Sequence, residues 1–300
     1  MSVELKKLIQ ARLGARARFD EPMSRHTTWG VGGPAWCLAR VNSAAEAAWL
    51  LAACGEAGLA YKPLGRGSNL LVGDAGFSGV MIRLGGELGK LALEGDTLLA
   101  GGGAPLPGAV RLVARQGLAG LEWAAGIPAS LGGAVATNAG AHGGDMAELT
   151  SGVSLLLPGG EMIEAAGKDL PSGYRRRVLP AGALVLGARL KLSPTMPAEV
   201  ERRRKALLQL RRLRQPLAAR TAGSVFKNPE GDHAGRLIEA AGLKGLAVGG
   251  AVVSRVHANF IENRGGASAA DILSLINTVV LKVMDAFSVR LEPEVEVVGV

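Results

Sequence analysis

Apolar and polar positions along this chain follow two periods, and the change from one to the other marks out its elements. In the opening stretch MSVELKKLIQARLG, Leu5, Leu8, Ile9 and Leu13 recur at helical spacing and predict an amphipathic helix with one apolar side. The stretch lacks the basic start and continuous apolar run of a secretion signal. Ser43 followed by Glu46 predicts a capping box ahead of AAWLLAACGEAG, a helix closed at Gly58. The runs LAYKPL, NLLV and VMIRL then read as short strands joined by the glycine-rich turns GRGS and GDAGFSG. KLALEGDTLLAGG predicts a hairpin around Gly95 and Asp96, and VSLLLPGGEMIEA a second one turning at Pro158, Gly159 and Gly160; between them Pro107 can start the helix GAVRLVARQG. The middle of the chain is therefore mixed α+β.

Near Pro194 and Pro197 the pattern changes to an arginine-rich helix that ends at Pro216, and the main domain boundary is placed there. Val200, Leu207, Leu208 and Leu210 are its packing positions. Beyond it, HAGRLIEAAG reads as a helix, LAVGGAVVS and HANFIE as strand-like, and EVEVVG as a final strand. A long helix capped by Ser268, with Asp271 three residues on, precedes that strand. No internal repeat or low-complexity tract interrupts this order.

Composition narrows the class. Three hundred residues, 48% hydrophobic and 20% charged, are enough for two ordinary cores and too apolar for disorder along the whole chain. The two cysteines, Cys37 and Cys54, form no CxxC pair, which argues against a disulfide framework or a cysteine zinc site and for a reducing, cytoplasmic setting. No apolar stretch approaches the roughly 20 residues needed to cross a bilayer, so no membrane association is expected.

The net charge of +8 is local. Thirteen Lys and Arg lie between Arg175 and Arg220 with only Glu199 and Glu201 among them, whereas the remainder holds 21 basic and 24 acidic residues. Nucleic acid is one ligand for such a segment, but aromatics are only 4% and do not interleave with the arginines as stacking platforms. A solvated helix beside an anionic small-molecule substrate explains the pattern better than DNA or RNA does.

Several common sites are missing. Gly65-Arg66-Gly67-Ser68-Asn69-Leu70 lacks the third glycine of a Rossmann loop and runs into a strand. Gly89-Lys90 fails as a Walker A loop, there is no G-x-S-x-G elbow, and His26, His142, His233 and His257 are too dispersed for a metal site. No metal is expected. Two glycine-rich loops remain, and each can hold a diphosphate. In PLGRGSNLLVGD, glycine backbone amides are joined by the Ser68 hydroxyl and the Asn69 amide. In GIPASLGGAVATNAGAHGG, six glycines are punctuated by Ser130 and Asn138, with a short helix from Ala129 onward.

These segments resemble the MurB family of UDP-N-acetylenolpyruvoylglucosamine reductases, also called UDP-N-acetylmuramate dehydrogenases, over nearly the whole chain. RHTTWGVGGPA resembles the family's opening, and PLGRGSNLLV and GIPASLGGAVATNAGAHG its two FAD-phosphate loops. SGYRRR, QPLAARTAGSVFKNP, AGLKG, HANFIEN and LEPEVEVVG follow in the family's order. The short stretch between Pro229 and Gly242 is similar to the family's second, loop-lacking type.

The resemblance implies an α+β fold in which a two-part FAD-binding module of the FAD-linked oxidase (PCMH-like) type precedes an α+β substrate-binding domain. The divisions it suggests are residues 1–84 and 85–194 for the two FAD-binding parts and 195–294 for the substrate domain, with strand 295–300 returning to the first part. It implies non-covalent FAD, NADPH as co-substrate, a UDP-sugar substrate and no obligate protein partner. NADPH would reduce the flavin, whose N5 would pass hydride to C3 of the enolpyruvyl group. By motif position Ser224 is the proton donor to C2, while Arg175 and Glu294 polarise the substrate carboxylate and stabilise the enolate.

Flavin contacts carried over by the resemblance are Gly65, Gly67, Ser68, Asn69, Leu70, Gly126, Ile127, Ser130, Gly132, Gly133, Asn138 and Gly140. Substrate contacts are Tyr174, Lys227, Asn228 and His257. The chain departs from the family at four places: the phenylalanine and serine around Tyr174-Arg175 are missing, Ala129 replaces a glycine, His142 a tyrosine and Glu262 an apolar residue. A carbohydrate oxidase of the same FAD-binding fold is the alternative, and it leaves the Ser224 and Glu294 motifs unexplained.

Overall fold

The computed structural model describes residues 3–300, which divide into two compact units. The first comprises residues 3–19, Cys37–Gly65 and Gly79–Leu210. Its centre is an antiparallel five-stranded sheet in the order Met162–Ala166, Thr150–Leu156, Leu184–Lys191, Thr97–Gly101, Leu91–Glu94. The two predicted hairpins supply four of these strands. Strand Thr97–Gly101 alternates buried and half-buried positions, as expected of a strand with one face on a core. Leu98 and Leu190 bury there with Val110 and Val113 from helix Leu106–Arg115 and Leu131 and Val135 from helix Leu131–Ala136. A four-stranded sheet has the order Ala17–Pro22, Pro34–Val41, Phe77–Leu84, Tyr61–Pro63.

The second unit comprises Asp20–Trp36, Arg66–Ser78 and Arg211–Val300. Here Ala247–Val248, Ala251–Val253 and Ile261–Asn263 form an antiparallel sheet, and Glu296–Val298 runs parallel to Leu70–Val72. Helix Ala269–Phe287 buries Ile272, Leu275, Ile276, Val279 and Val283, a stripe at three- and four-residue spacing. Its start is capped twice. Ser268 and Asp271 form the predicted reciprocal box, and Asp74 adds both carboxylate oxygens, accepting from the Ala269 and Ala270 amides at 2.8 and 2.9 Å. Trp29 is fully buried; its indole donates to Ile261 O at 2.7 Å, while Asn263 donates to Trp29 O at 2.9 Å.

Four local expectations change. Leu5, Ile9 and Leu13 bury but Leu8 is 54% exposed, because the buried stripe follows the four-residue spacing alone. Ser43 accepts from Glu46 N, yet the Glu46 carboxylate takes the Asn42 amide and a two-pronged pair with Arg16 instead of closing the box. Of the arginine helix Pro197–Arg214 only Val200 is fully buried, and Leu207, Leu208 and Leu210 are half-buried. HANFIE is extended only from Ile261 onward. No helix among the described residues is long and apolar enough to cross a membrane.

Candidate active site

In the second unit the Ser224 segment is built by a reversal and two ladders. Gly223 adopts φ +81, a left-handed turn that glycine enters without a Cβ penalty, and the chain straightens at Ser224. On one side Ser224 bridges Phe260, and Val225 N donates to Asn259 O at 2.9 Å. The Asn259 side chain then acts as a surrogate strand: Oδ1 accepts from Phe226 N at 2.9 Å and Nδ2 donates to Phe226 O at 2.8 Å. On the other side Glu294 N donates to Val225 O at 2.7 Å and Lys227 N to Glu292 O at 2.9 Å. The first glycine loop joins the same track, since Asn69 Nδ2 donates to Glu294 O at 3.2 Å and Glu296 N to Asn69 O at 3.0 Å. The Ser224 segment, Glu294 and Asn69 are thereby connected by backbone hydrogen bonds and the Asn69 side-chain amide, with Ser224 and Glu294 both half-buried.

The loop carrying Gly67, Ser68 and Asn69 rests on the segment Arg25–Gly30. Gly67 has φ +65, and a Cβ there would collide with the His26 carbonyl oxygen. Its own carbonyl accepts from Thr28 N at 3.0 Å and Thr28 Oγ1 at 3.3 Å. His26 stands 2.8 Å from Glu21, a largely buried pair beneath the turn. Leu70 continues buried into the strand beside Glu296–Val298.

The residues expected to touch substrate have definite partners. Lys227 pairs with Glu292 at 2.6 Å. Asn228 is exposed, and its Oδ1 accepts from the Ala234 amide at 3.1 Å at the start of helix Ala234–Ala240. His257 Nδ1 accepts from Asn259 N at 3.2 Å, which leaves the proton of the neutral ring on Nε2. Its ring lies 4.8 Å from that of Phe260, and burial, aided by Lys244, pushes its pKa below the usual histidine value.

A cavity of about 910 Å³ opens in the same unit, lined among others by Arg212, Arg220, Arg264, Glu262 and Asn263. Glu262 is only 3% exposed and lies 2.6 Å from Arg264, so the lining holds three arginines and one carboxylate. The cavity favours an anion. Along helix Pro197–Arg214 part of the positive charge is paired locally: Glu199 with Arg202 and Arg203, and Glu201 with Arg204 and Lys205. These pairs hold the Glu199 carboxyl down to about 2.

In the first unit the second glycine loop folds against Gly65, where a Cβ would collide with Ser130 Oγ. Gly126 turns with φ +82 and Ile127 is half-buried. Ser130 caps helix Leu131–Ala136 by accepting from Gly133 N at 3.3 Å, while Leu131 N and Gly132 N each donate at 2.8 Å to the Ala104 and Gly102 carbonyls. Gly132 is buried, 2.9 Å from Gly102 O at the point where a Cβ would stand, whereas Gly133 is exposed. Asn138 is buried with all its amide atoms engaged inside the protein. Gly140 pairs with Asp145 in a two-residue ladder and adjoins the Arg175 guanidinium, whose Nη1 lies 3.1 Å from the position a Cβ would take. Tyr174 is 55% exposed, with the Arg175 guanidinium 5.3 Å from its ring centre.

Sequence reasoning missed Asn259 and Asp145, which touch this machinery from within. Asn259 lies inside HANFIEN, where the family motif pointed to His257 and not to the asparagine; Asp145 carried no signal. Among the described residues no group of three His, Cys, Asp or Glu is placed to hold a metal ion.

Residues 35–166 match the model of an FAD binding domain, and residues 215–298 match that of the UDP-N-acetylenolpyruvoylglucosamine reductase C-terminal domain. The chain is 47% identical over 282 residues to UDP-N-acetylenolpyruvoylglucosamine reductase of Heliobacterium modesticaldum, covering 93% of this chain and 90% of that protein. It is 43% identical over 300 residues to UDP-N-acetylenolpyruvoylglucosamine reductase 2 of Symbiobacterium thermophilum, covering 100% and 97%. The crystal structure of the reductase (MurB) from Thermus caldophilus superposes with a TM-score of 0.82 at 40% identity, over 94% of this chain and 97% of that one. Alkyldihydroxyacetonephosphate synthase aligns with 65% of this chain at 17% identity and a TM-score of 0.50, a likeness of fold alone.

Proposed function

Since the chain belongs to the family of UDP-N-acetylenolpyruvoylglucosamine reductases, FAD-containing oxidoreductases of peptidoglycan precursor synthesis, we propose that it reduces UDP-N-acetylglucosamine-enolpyruvate to UDP-N-acetylmuramate with NADPH as electron source. The observation that carries this reading is the hydrogen-bonded track from Asn69 through Glu294 to the Ser224 segment, which ties a flavin-loop residue to the proposed proton donor.

The residues present fit FAD. Gly65, Ser68, Asn69, Ile127 and Gly140 are only half-buried, and Gly133 is exposed, so glycine backbone, a hydroxyl and an amide line the two loops uncovered by bulky side chains. Held by the Gly65–Asn69 and Gly126–Gly140 loops, FAD would supply the two-electron hydride chemistry between NADPH and the enolpyruvyl group.

The chain's own residues handle the proton and the charge. Ser224 donates its hydroxyl proton to C2; a weak acid suffices because the carbanion is strongly basic and the ladders on both sides fix the serine in place. Arg175 offers a permanently charged fork to the substrate carboxylate. Glu294, whose backbone amide donates to Val225 O, stabilises the enolate. The arginines of the cavity receive the UDP diphosphate.

An anaerobic absorption titration tests the reading. NADPH should bleach the flavin bands, and the enolpyruvyl sugar should restore them. Ser224→Ala should bleach normally and lose about 10²–10⁴-fold in the rate of restoration. Equal loss in both half-reactions would remove Ser224 as proton donor, and failure of the sugar to restore wild-type colour would remove the substrate assignment.

A further inference from the structure

The hairpin that carries Arg175 is nearly all outside the core. Pro171, Ser172, Gly173, Tyr174, Arg176 and Val178 are exposed, and Arg175 is half-buried. Arg177 alone points inward. It is 6% exposed, and its Nη2 donates to Gly167 O at 3.4 Å, with Nε and Nη1 buried and lacking hydrogen-bond partners. A guanidinium this deep is unfavourable unless a carboxylate faces it. The opposing charge is Asp145, which counters the desolvation that lowers the pKa of Arg177.

Asp145 is in turn engaged by Asn138, which is 1% exposed. Asn138 Nδ2 donates to Asp145 Oδ2 at 3.1 Å and to Gly173 O at 2.9 Å, and Oδ1 accepts from Ala147 N at 2.8 Å. The hairpin is thus gripped at both ends of its register, at Gly173 by the amide and at Arg177, which pairs with Ser172, by the buried charge. Between these grips Arg175 takes φ +54. A non-glycine residue keeps that conformation only when its surroundings impose it. The Arg175 head then comes to rest beside Gly140, two residues along the chain from Asn138.

We propose that Asn138, Asp145 and Arg177 form a clamp, with Asn138 and Arg177 buried and Asp145 half-buried, that positions Arg175, an inference that rests on the role proposed above for Arg175. None of the three needs to touch substrate. They hold the loop in which the substrate-facing fork is already arranged, and so remove an ordering cost from binding.

The test uses FAD-loaded enzyme and two readouts. Trypsin cuts after arginine, so the cleavage rate in the 175–177 segment reports how firmly the hairpin is held, independent of activity. In Arg177→Ser this rate should rise about tenfold or more, the effect of losing one buried polar anchor, with Arg177→Lys intermediate. KM for the enolpyruvyl sugar should rise by a similar factor while anaerobic bleaching by NADPH is retained. Unchanged cleavage overturns the clamp; faster cleavage with unchanged kcat and KM overturns its role in positioning Arg175. Arg175→Met separates the two ideas: if it leaves the sugar reaction intact, the role of Arg175 fails, while the cleavage data still decide the clamp. Should Arg177→Ser not fold, Asp145→Asn removes the negative charge and one of the two acceptor oxygens that take the Asn138 side chain and the Glu148 amide, and is read in the same way.

Discussion

Asn259 is the side chain from which the Ser224 segment hangs, and replacing it by alanine isolates that contribution. The residue is 4% exposed, and its amide satisfies both the N–H and the C=O of Phe226. Phe226 is itself 2% exposed, so both groups lose their partners away from bulk solvent. Each orphaned group costs about 1–3 kcal/mol. Water entering the vacated space recovers part of this, which puts the expected loss at ~3 kcal/mol. With an unfolding entropy of about 2.1 cal/mol/K per residue over 300 residues, or about 1.6 °C per kcal/mol, the midpoint of thermal unfolding should fall by about 5 °C. Differential scanning calorimetry at saturating FAD measures this without interference from cofactor loss. Asn259→Asp sharpens the test. Its ionised carboxylate still accepts from Phe226 N but faces Phe226 O with no proton, so the deficit should be large at pH 7 and shrink toward pH 4 as the acid becomes a donor. An alanine variant melting within 2 °C of wild type, or an aspartate variant with no pH-dependent deficit, would refute the surrogate-strand account.

Two further outcomes follow from the same coordinates. Gly67→Ala should be poorly tolerated, because φ +65 and the collision with His26 O act together; the loop must move, and FAD retention on gel filtration should drop by about tenfold or more relative to wild type. His257 has a pKa below its ordinary value of 6.5, chiefly because burial disfavours the charged ring. Below that value the unfolded chain takes up the proton more readily than the folded one, so the stability is complete above pH 6.5 and is lost as pH falls through and below it. His257→Gln should flatten that part of the curve of melting temperature against pH between 7 and 5, and an unchanged slope would show that another group titrates there.

The amino-acid sequence by itself determined whatever depends on near neighbours. Ser268 and Asp271 meet because a helix start brings positions three apart together, and the turns at Gly95-Asp96 and Pro158-Gly160 close because their residues suit reversal. The motif order was enough to name the family, since AGSVFKNP and LEPEV are specific without a third dimension. What the local pattern did not carry was the partner of each residue. Leu8 has helical spacing yet faces outward, and Glu46 has a capping box within reach yet turns to Arg16 and Asn42. Asp74 caps a helix 195 residues away, and Asn259 completes a ladder for Phe226 across 33 residues. Arg177 is one arginine of the basic segment in the sequence, and only the fold shows it buried with its guanidinium donating to Gly167 O. Propensity and periodicity act over a few residues, whereas burial and the satisfaction of buried polar groups are properties of segments that meet only once the chain has closed. For that reason the identity of the chemical groups was legible in the sequence, and the means of holding them was decided by the tertiary structure.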